Sequence, residues 1–275
     1  TYQAMVDGCL QTGAHYLDLT GEIAVFEAIA ARDKEAQARE VMLLPGAGFD
    51  VIPTDCLALH LKQRLPSATQ LTLAFKPEGP AGMPPGTQRT GIDLLPYGDR
   101  VRRDGTLVRP QQVIVTREID FGRGPRTATR FTWGDVFTAY YSTGIPNIEV
   151  YVAIPQRLQG LLRWRSRLRP LFEPALVRRV LKKIVLPGSS GRALAQSCTH
   201  VWGEVRDERG TSAVSRLHGP EAGAIWTGRA ALAAVQRVLA GDAPPGYQTP
   251  AKAYGADFVF ECEGVTREDV RNGTM

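Results

Sequence analysis

The sequence predicts an α/β chain: the closing part of a doubly wound parallel sheet, then an α+β domain whose sheet is mainly antiparallel. Three observations lead there. Residues 2–66 read helix, strand, helix, strand, helix with short connections, the order of parallel βαβ units. After Pro66 the pattern changes to short alternating strands separated by turn residues such as Arg103-Asp104-Gly105 and Phe121-Gly122-Arg123-Gly124. The composition, 43% hydrophobic and 22% charged over 275 residues, suits one large or two modest domains. The expected division is residues 1–66 and residues 67–275.

The first part is organised around Val41 to Pro66. Val41-Met42-Leu43-Leu44 is a short buried-type strand, Pro45-Gly46-Ala47-Gly48 a turn, and Leu57, Leu61 and Leu65 recur at helical spacing. Such a strand, Gly loop and helix N-terminus can hold an anion, but an ordinary βα turn using Gly46 and Gly48 explains the same residues slightly better. Upstream, residues 2–12 form a helix closed by Gly13, His15 to Leu19 a strand, and Ile23 to about Glu40 one helix with Phe26 and Ile29 on its inner face. No G-x-G-x-x-G turn opens a βα unit.

In the second part, strands are expected at Leu71–Phe75, Val113–Ile119, Arg126–Phe131 and Ile148–Ile154, with a short helix at Thr87–Leu95. Trp133-Gly134-Asp135 and Ser142 to Asn147 read as polar loops, the usual place for substrate contacts. Thr199–Arg206 and Ala213–Leu217 form a hairpin. A helix runs from about Ala224 to Leu239, and the tail is a loop followed by a strand at Ala256–Glu261. Residues 156–186 form a basic helical segment, with nine basic residues against Glu173 alone. Solvated surface helices and contact with an anionic membrane or a lipid-like substrate explain it equally well. Trp164 favours the second, Pro170 and Pro174 the first.

Charge and cysteines narrow the partners. A net charge of +5 permits an anionic ligand without pointing to nucleic acid, and none is expected. Cys9, Cys56, Cys198 and Cys262 are scattered, as buried thiols of a reducing, cytoplasmic compartment are. Cys198 and His200 make a lone C-x-H pair, and no metal is expected there. No apolar run is long enough to span a bilayer. Asn272-Gly273-Thr274 is a chance sequon.

Among chemistries, nucleophilic hydrolysis fits poorly, because no G-x-S-x-G elbow exists. Each histidine has a structural explanation. Asp18, Glu22, Asp50 and Asp55 lie nearest the C-terminal ends of the two parallel strands, where open α/β sheets bind ligands, although Glu22 and Asp55 also suit helix capping.

Several blocks together resemble one family. Gly13 to Glu22 (GAHYLDLTGE), Pro45 to Asp55 (PGAGFDVIPTD), Ser142 to Asn147 (STGIPN), Gly246 to Pro250 (GYQTP) and Tyr254 to Phe258 (YGADF) come in the order found in saccharopine dehydrogenase-like NAD(P)-dependent oxidoreductases. They are most similar to the branch of trans-acting enoyl reductases and the saccharopine dehydrogenase-like oxidoreductase. The resemblance implies a Rossmann domain, NADP or NAD as cofactor, and hydride transfer to an unsaturated, lipid-type enoyl substrate, as in glycolipid biosynthesis. Asp18, Thr20, Gly21, Glu22, Gly46, Gly48, Phe49 and Asp50 would then contact the cofactor. Ser142, Thr143 and Asn147 would contact substrate, and Tyr16, Tyr140 or Tyr141 would donate the proton, with no choice among the three. The family's Gly-rich phosphate loop precedes the first block, so the chain is expected to be a C-terminal fragment with weak dinucleotide binding or none. The alternative is a non-catalytic lipid- or membrane-associated protein on the same scaffold. A homodimer is left open.

Overall fold

The computed structural model describes residues 2–94, 100–111, 115–153 and 174–270. Two sheets organise it. The first is parallel, with β1 (Tyr16–Leu17), β2 (Met42–Leu44) and β11 (Gly246–Tyr247) in the order β1-β2-β11. Helices α1 (Tyr2–Thr12), α2 (Ile23–Ala30) and α3 (Asp33–Ala38) precede β2, and α4 (Ile52–Arg64) follows it. Successive β2 residues point to opposite faces. Leu43 joins a core with Val6, Leu10, Phe26 and Ile29, while Met42 and Leu44 join a core with Leu57 and Leu61. Helices therefore cover both faces, as a doubly wound sheet requires.

The single helix expected over 23–40 is two. The break at Ala31-Arg32 leaves Asp33 at the start of α3, where its Oδ1 accepts the Tyr247 N–H at 2.6 Å. That bond explains a second departure. Gly246–Tyr247, expected in a loop, returns from 200 residues downstream as the third parallel strand. α10 (Pro250–Tyr254) follows, its first turn capped by Thr249. The strand expected at Ala256–Glu261 is a 3-10 turn, Phe258–Glu261, with Phe258 and Val259 both buried, which alternation forbids.

The second sheet has nine strands among the described residues. β12 (Thr266–Val270), β10 (Ser212–Pro220), β9 (Cys198–Arg206), β3 (Gln70–Glu78), β8 (Asn147–Val152), β4 (Val101–Arg103) and β5 (Thr106–Val108) lie in that order. β7 (Pro125–Arg130) also pairs with β8 and carries β6 (Thr116–Asp120) with it. Only β3 and β8 run parallel to each other; every other pairing is antiparallel, and the expected fold class is met. Leu71, Leu73 and Phe75 of β3 face the core under α4, and Ala74 faces the other way, against Trp202, Tyr151 and the β6–β7 hairpin.

α5 (Pro85–Leu94) matches its expectation. α6 (Asp135–Thr143) lies between the two expected loops and takes Asp135 from the first and Ser142-Thr143 from the second: it starts after Gly134 and ends at Gly144, whose φ of +69° closes the helix, and Val136, Phe137 and Ala139 are buried. Of the basic segment, 156–173 lie outside the described residues. The remainder holds α7 (Ala175–Leu181) and a 3-10 turn, Lys182–Ile184, followed by α8 (Gly191–Ala195). A π-turn, Ala222–Trp226, leads into α9 (Thr227–Leu239). Among the described residues no helix is long and apolar enough to cross a membrane.

Candidate active site

The loops at the C-terminal ends of the parallel strands meet the start of α6 and the start of α9. Asp18 stitches the first two loops together. Its Oδ1 accepts the Thr20 and Gly46 N–H groups, both at 2.9 Å, its carbonyl accepts Ala47 N–H at 2.7 Å, and its Oδ2 accepts the Tyr16 hydroxyl at 2.6 Å. Gly46 is required: φ is +79°, and a Cβ there would lie 2.6 Å from Val51 Cγ2.

The Gly loop is not a phosphate cradle. Gly46, Ala47, Phe49, Val51 and Ile52 all donate their N–H groups within the protein, Phe49 to Thr227 Oγ1 at 3.3 Å. Pro53 removes a further donor at the α4 N-terminus, and Asp55 sits in that first turn. The turn therefore offers a pyrophosphate few free N–H groups. The ordinary βα turn is the reading that holds.

What the loops do build is an aromatic wall with carboxyls behind it. Phe49 is buried between Phe75 and Trp226, with ring centroids at 5.9 and 5.3 Å, and Trp133 lies on Phe75 at 4.9 Å. Trp133 Nε1 donates to the Asp50 carbonyl at 2.9 Å. The Asp50 carboxyl faces Gly21, where a Cβ would come within 2.8 Å of Oδ2. It has no hydrogen-bond partner among the described residues, and burial raises its pKa to about 6. Leu19, half-exposed, and Thr227 complete the rim beside Gly48.

Two further carboxyls lie behind Asp50. Asp135, fully buried at the start of α6, meets Thr54 Oγ1 at 2.6 Å through Oδ1, while its Oδ2 has no partner. Burial, then the charges of Asp55 and Asp50, hold its pKa well above the usual carboxyl range. Thr54 Oγ1 donates towards both Asp135 Oδ1 and the Val51 carbonyl, the latter at 3.0 Å, so the two acceptors compete for its single proton. Asp55 accepts from Ser142 Oγ at 2.5 Å and from Ala251 N–H at 2.8 Å, and Ser142 Oγ also meets Thr249 Oγ1. Burial lifts its pKa to about 6 against those hydrogen bonds.

Among solved structures, saccharopine dehydrogenase (L-Glu forming) from Saccharomyces cerevisiae superposes with a TM-score of 0.61 at 9% identity, over 98% of this chain and 82% of that one. The chain has a saccharopine dehydrogenase-like fold. At that identity the likeness is one of architecture. GenD2 from gentamicin A biosynthesis, solved in complex with NAD, aligns over 98% of this chain and 75% of its own at 14% identity, with a TM-score of 0.33. No family model and no curated protein matches the sequence.

Within the saccharopine dehydrogenase-like scaffold, the residues expected from sequence divide into two groups. Asp18, Thr20, Gly21, Gly46, Gly48, Phe49 and Asp50 converge at the strand ends, and Glu22 lies exposed at the start of α2. Of these, Asp50 and Glu22 carry carboxyls without a hydrogen-bond partner among the described residues, and of the two Asp50 is the one shielded from water, Glu22 being exposed. Ser142, Thr143 and Asn147 are not gathered there. Ser142 bonds Asp55, Thr143 Oγ1 donates to the Ala139 carbonyl at 2.5 Å, and Asn147 joins Asp104 N–H to the Thr69 carbonyl. The tyrosines are dispersed. Tyr16 is buried with its hydroxyl on Asp18, and burial raises its pKa. Tyr140 lies over Arg102 at 4.2 Å, and Tyr141 packs on Phe137 and Tyr247, both about 10 Å along α6 from Gly134. Sequence reasoning missed Asp135 as a buried acid and Thr227 altogether. The apolar run after Trp-Gly-Asp was the available signal for the first.

Proposed function

We infer that this chain is the catalytic portion of a saccharopine dehydrogenase-like, NAD(P)-dependent oxidoreductase, acting on an unsaturated, lipid-type substrate of the enoyl class. The observation that carries this reading is Asp50: a carboxyl with no bonded partner, titrating near neutrality, at the C-terminal end of a parallel strand beside an aromatic wall. Ligands of open α/β sheets sit at those ends. In this reading a flat ring lies against Gly21, Leu19, Trp133 and Thr227, while most N–H groups of the Gly loop are already engaged within the protein. The nicotinamide supplies a hydride when bound. Reduction of an activated double bond then needs a proton, and Asp50, with a pKa of about 6, supplies it more readily than tyrosines whose pKa burial raises. Trp133 fixes the Asp50 backbone, and Phe49, Phe75 and Trp226 keep water from the far side.

A lipid-type substrate and contact with an anionic membrane are favoured by the described end of the basic segment. Leu176, Ile184 and Leu186 are each more than two-thirds exposed, beside Arg179 and Lys183. The test is NADPH oxidation with an enoyl thioester at high cofactor concentration, since the sequence holds no phosphate-binding turn. Cofactor consumption that Asp50→Asn abolishes supports the reading. A folded chain that neither perturbs NADPH fluorescence nor consumes it overturns it.

A further inference from the structure

On the face of the larger sheet turned away from this cleft, four side chains able to bind metals converge, and strand register brings them there. Cys198 and His200, two residues apart on β9, share a face. Glu78 of β3 pairs with Cys198, and His218 of β10 pairs with His200. Each Cys198-x-His200 atom thus finds on a neighbouring strand the partner that the local sequence lacks. His200 Nε2 lies 3.2 Å from Glu78 Oε2 and 3.7 Å from Cys198 Sγ, and the donor atoms of the three residues all fall within 4.8 Å of one another. A tetrahedral ion with bonds of about 2.0 Å to nitrogen and oxygen and about 2.3 Å to sulfur sets its ligands about 3.3 Å (N to O) and about 3.6 Å (N to S) apart. The observed separations agree with both.

We propose that Glu78, Cys198 and His200 bind a divalent cation of the zinc class, with His218 as a positioning residue for the imidazole. A thiolate, an imidazole and a carboxylate are a zinc-type donor set, and three protein ligands leave the fourth position to water. His200 Nδ1 is 2.7 Å from His218 Nδ1. With Nε2 on the metal, Nδ1–H donates to His218, whose own Nε2–H faces Glu268 Oε2 at 3.7 Å. This outer partner fixes tautomer and ring plane, as around most histidine ligands.

The same carboxylate is already claimed by cations of the protein. Lys76 Nζ meets Glu78 Oε2 at 2.6 Å and Arg123 meets Oε1 at 3.1 Å. Lys76 therefore competes with the metal for Oε2. Arg123 and Gly122, which approaches the His218 ring, belong to the β6–β7 turn that closes over the cluster.

The experiment is a titration of the chelator-treated chain with Co²⁺, followed by displacement with Zn²⁺. A thiolate-to-cobalt charge-transfer band with intense tetrahedral visible bands, at one ion per chain, is expected. Cys198→Ser and His200→Gln abolish the band, His218→Gln weakens affinity about 10–100-fold while keeping the spectrum, and Lys76→Met tightens it. In the unaltered chain, Zn²⁺ slows alkylation of Cys198, read by peptide mass spectrometry, and leaves Cys9 unaffected. This last measurement decides the matter even if a variant does not fold. Absence of the charge-transfer band, or Cys198 alkylation indifferent to Zn²⁺, overturns the site.

Discussion

Replacing Asp55 by asparagine isolates what a buried charge costs this fold. The residue is fully buried, with Ser142 Oγ on one oxygen and Ala251 N–H on the other. Its pKa stands at about 6 in the folded chain against an ordinary 3.8. The folded state thus holds the proton more tightly than the unfolded state. The stability this provides is complete below about pH 4 and is lost as pH rises through about 6. At about 1.4 kcal/mol per pH unit of separation, ionisation withdraws about 3 kcal/mol, of which about 1.4 kcal/mol falls between about pH 5 and 7.5. Asparagine has no such term. Its Oδ1 can accept from Ala251 N–H and its Nδ2 can donate to Ser142 Oγ, which leaves no donor stranded. Urea denaturation followed by tryptophan fluorescence should find Asp55→Asn close to the unaltered chain at about pH 5. At about pH 7.5 it should be more stable by about 1–2 kcal/mol. A variant less stable by about 2 kcal/mol at both pH values would refute the reasoning, since the ionised form would then be what holds the junction.

Asp50→Asn removes the proposed proton donor without changing its shape; turnover should fall about 100-fold or more with NADPH binding unchanged, and the unaltered enzyme's rate should decline as pH rises through about 6. Gly46→Ala combines a left-handed φ, costing about 1–2 kcal/mol, with a Cβ crowding Val51 and Phe26, costing about 1–3 kcal/mol; chemical denaturation reads the sum. Glu221→Ala strips the carboxylate that accepts N–H groups of Gly223, Ala224 and Ile225 at 2.6, 2.8 and 3.2 Å, and should cost about 1–2 kcal/mol. Sulfate should restore part of that loss by filling the vacated helix N-terminus, and no recovery in sulfate would argue that Glu221 does not cap it.

The parts of the fold legible in the sequence are those held by local contacts. β2, the Gly46 turn and α4 follow one another directly, so strand, turn and helix signals fall in a single window. β11 gave no such signal. Two residues cannot alternate, and Gly246–Tyr247 is a strand only because Met42 and Leu43 lie beside it and Asp33 binds its N–H. α6 was hidden because glycine marks both its ends, and glycine reads as loop. The site divides the same way. Asp50 was visible as an acid at a strand end. Asp135 was not, because its meaning depends on Thr54, 81 residues away, and on a burial that no periodicity expresses.

The blocks that carry the family resemblance have a physical role that bears on how far resemblance reaches. Asp55 from PGAGFDVIPTD, Ser142 from STGIPN and Thr249 from GYQTP meet in one buried junction, where α4, α6 and α10 are joined by hydrogen bonds among a carboxyl, two hydroxyls and the Ala251 N–H. Each residue satisfies another that water cannot reach, so loss of one leaves a buried polar group unpaired and costs about 1–3 kcal/mol. A lineage keeping this scaffold has reason to keep all of them, whatever its chemistry. Asn147 and Thr143 do the same for the β4–β5 turn and the end of α6. Trp133 and Thr227 of the aromatic wall are tied in as well, Trp133 Nε1 to the Asp50 carbonyl and Thr227 Oγ1 to the Phe49 N–H. Motif resemblance in this fold therefore reports in large part the staples that join its helices, and among the block residues it is Asp50 from which chemistry has to be read.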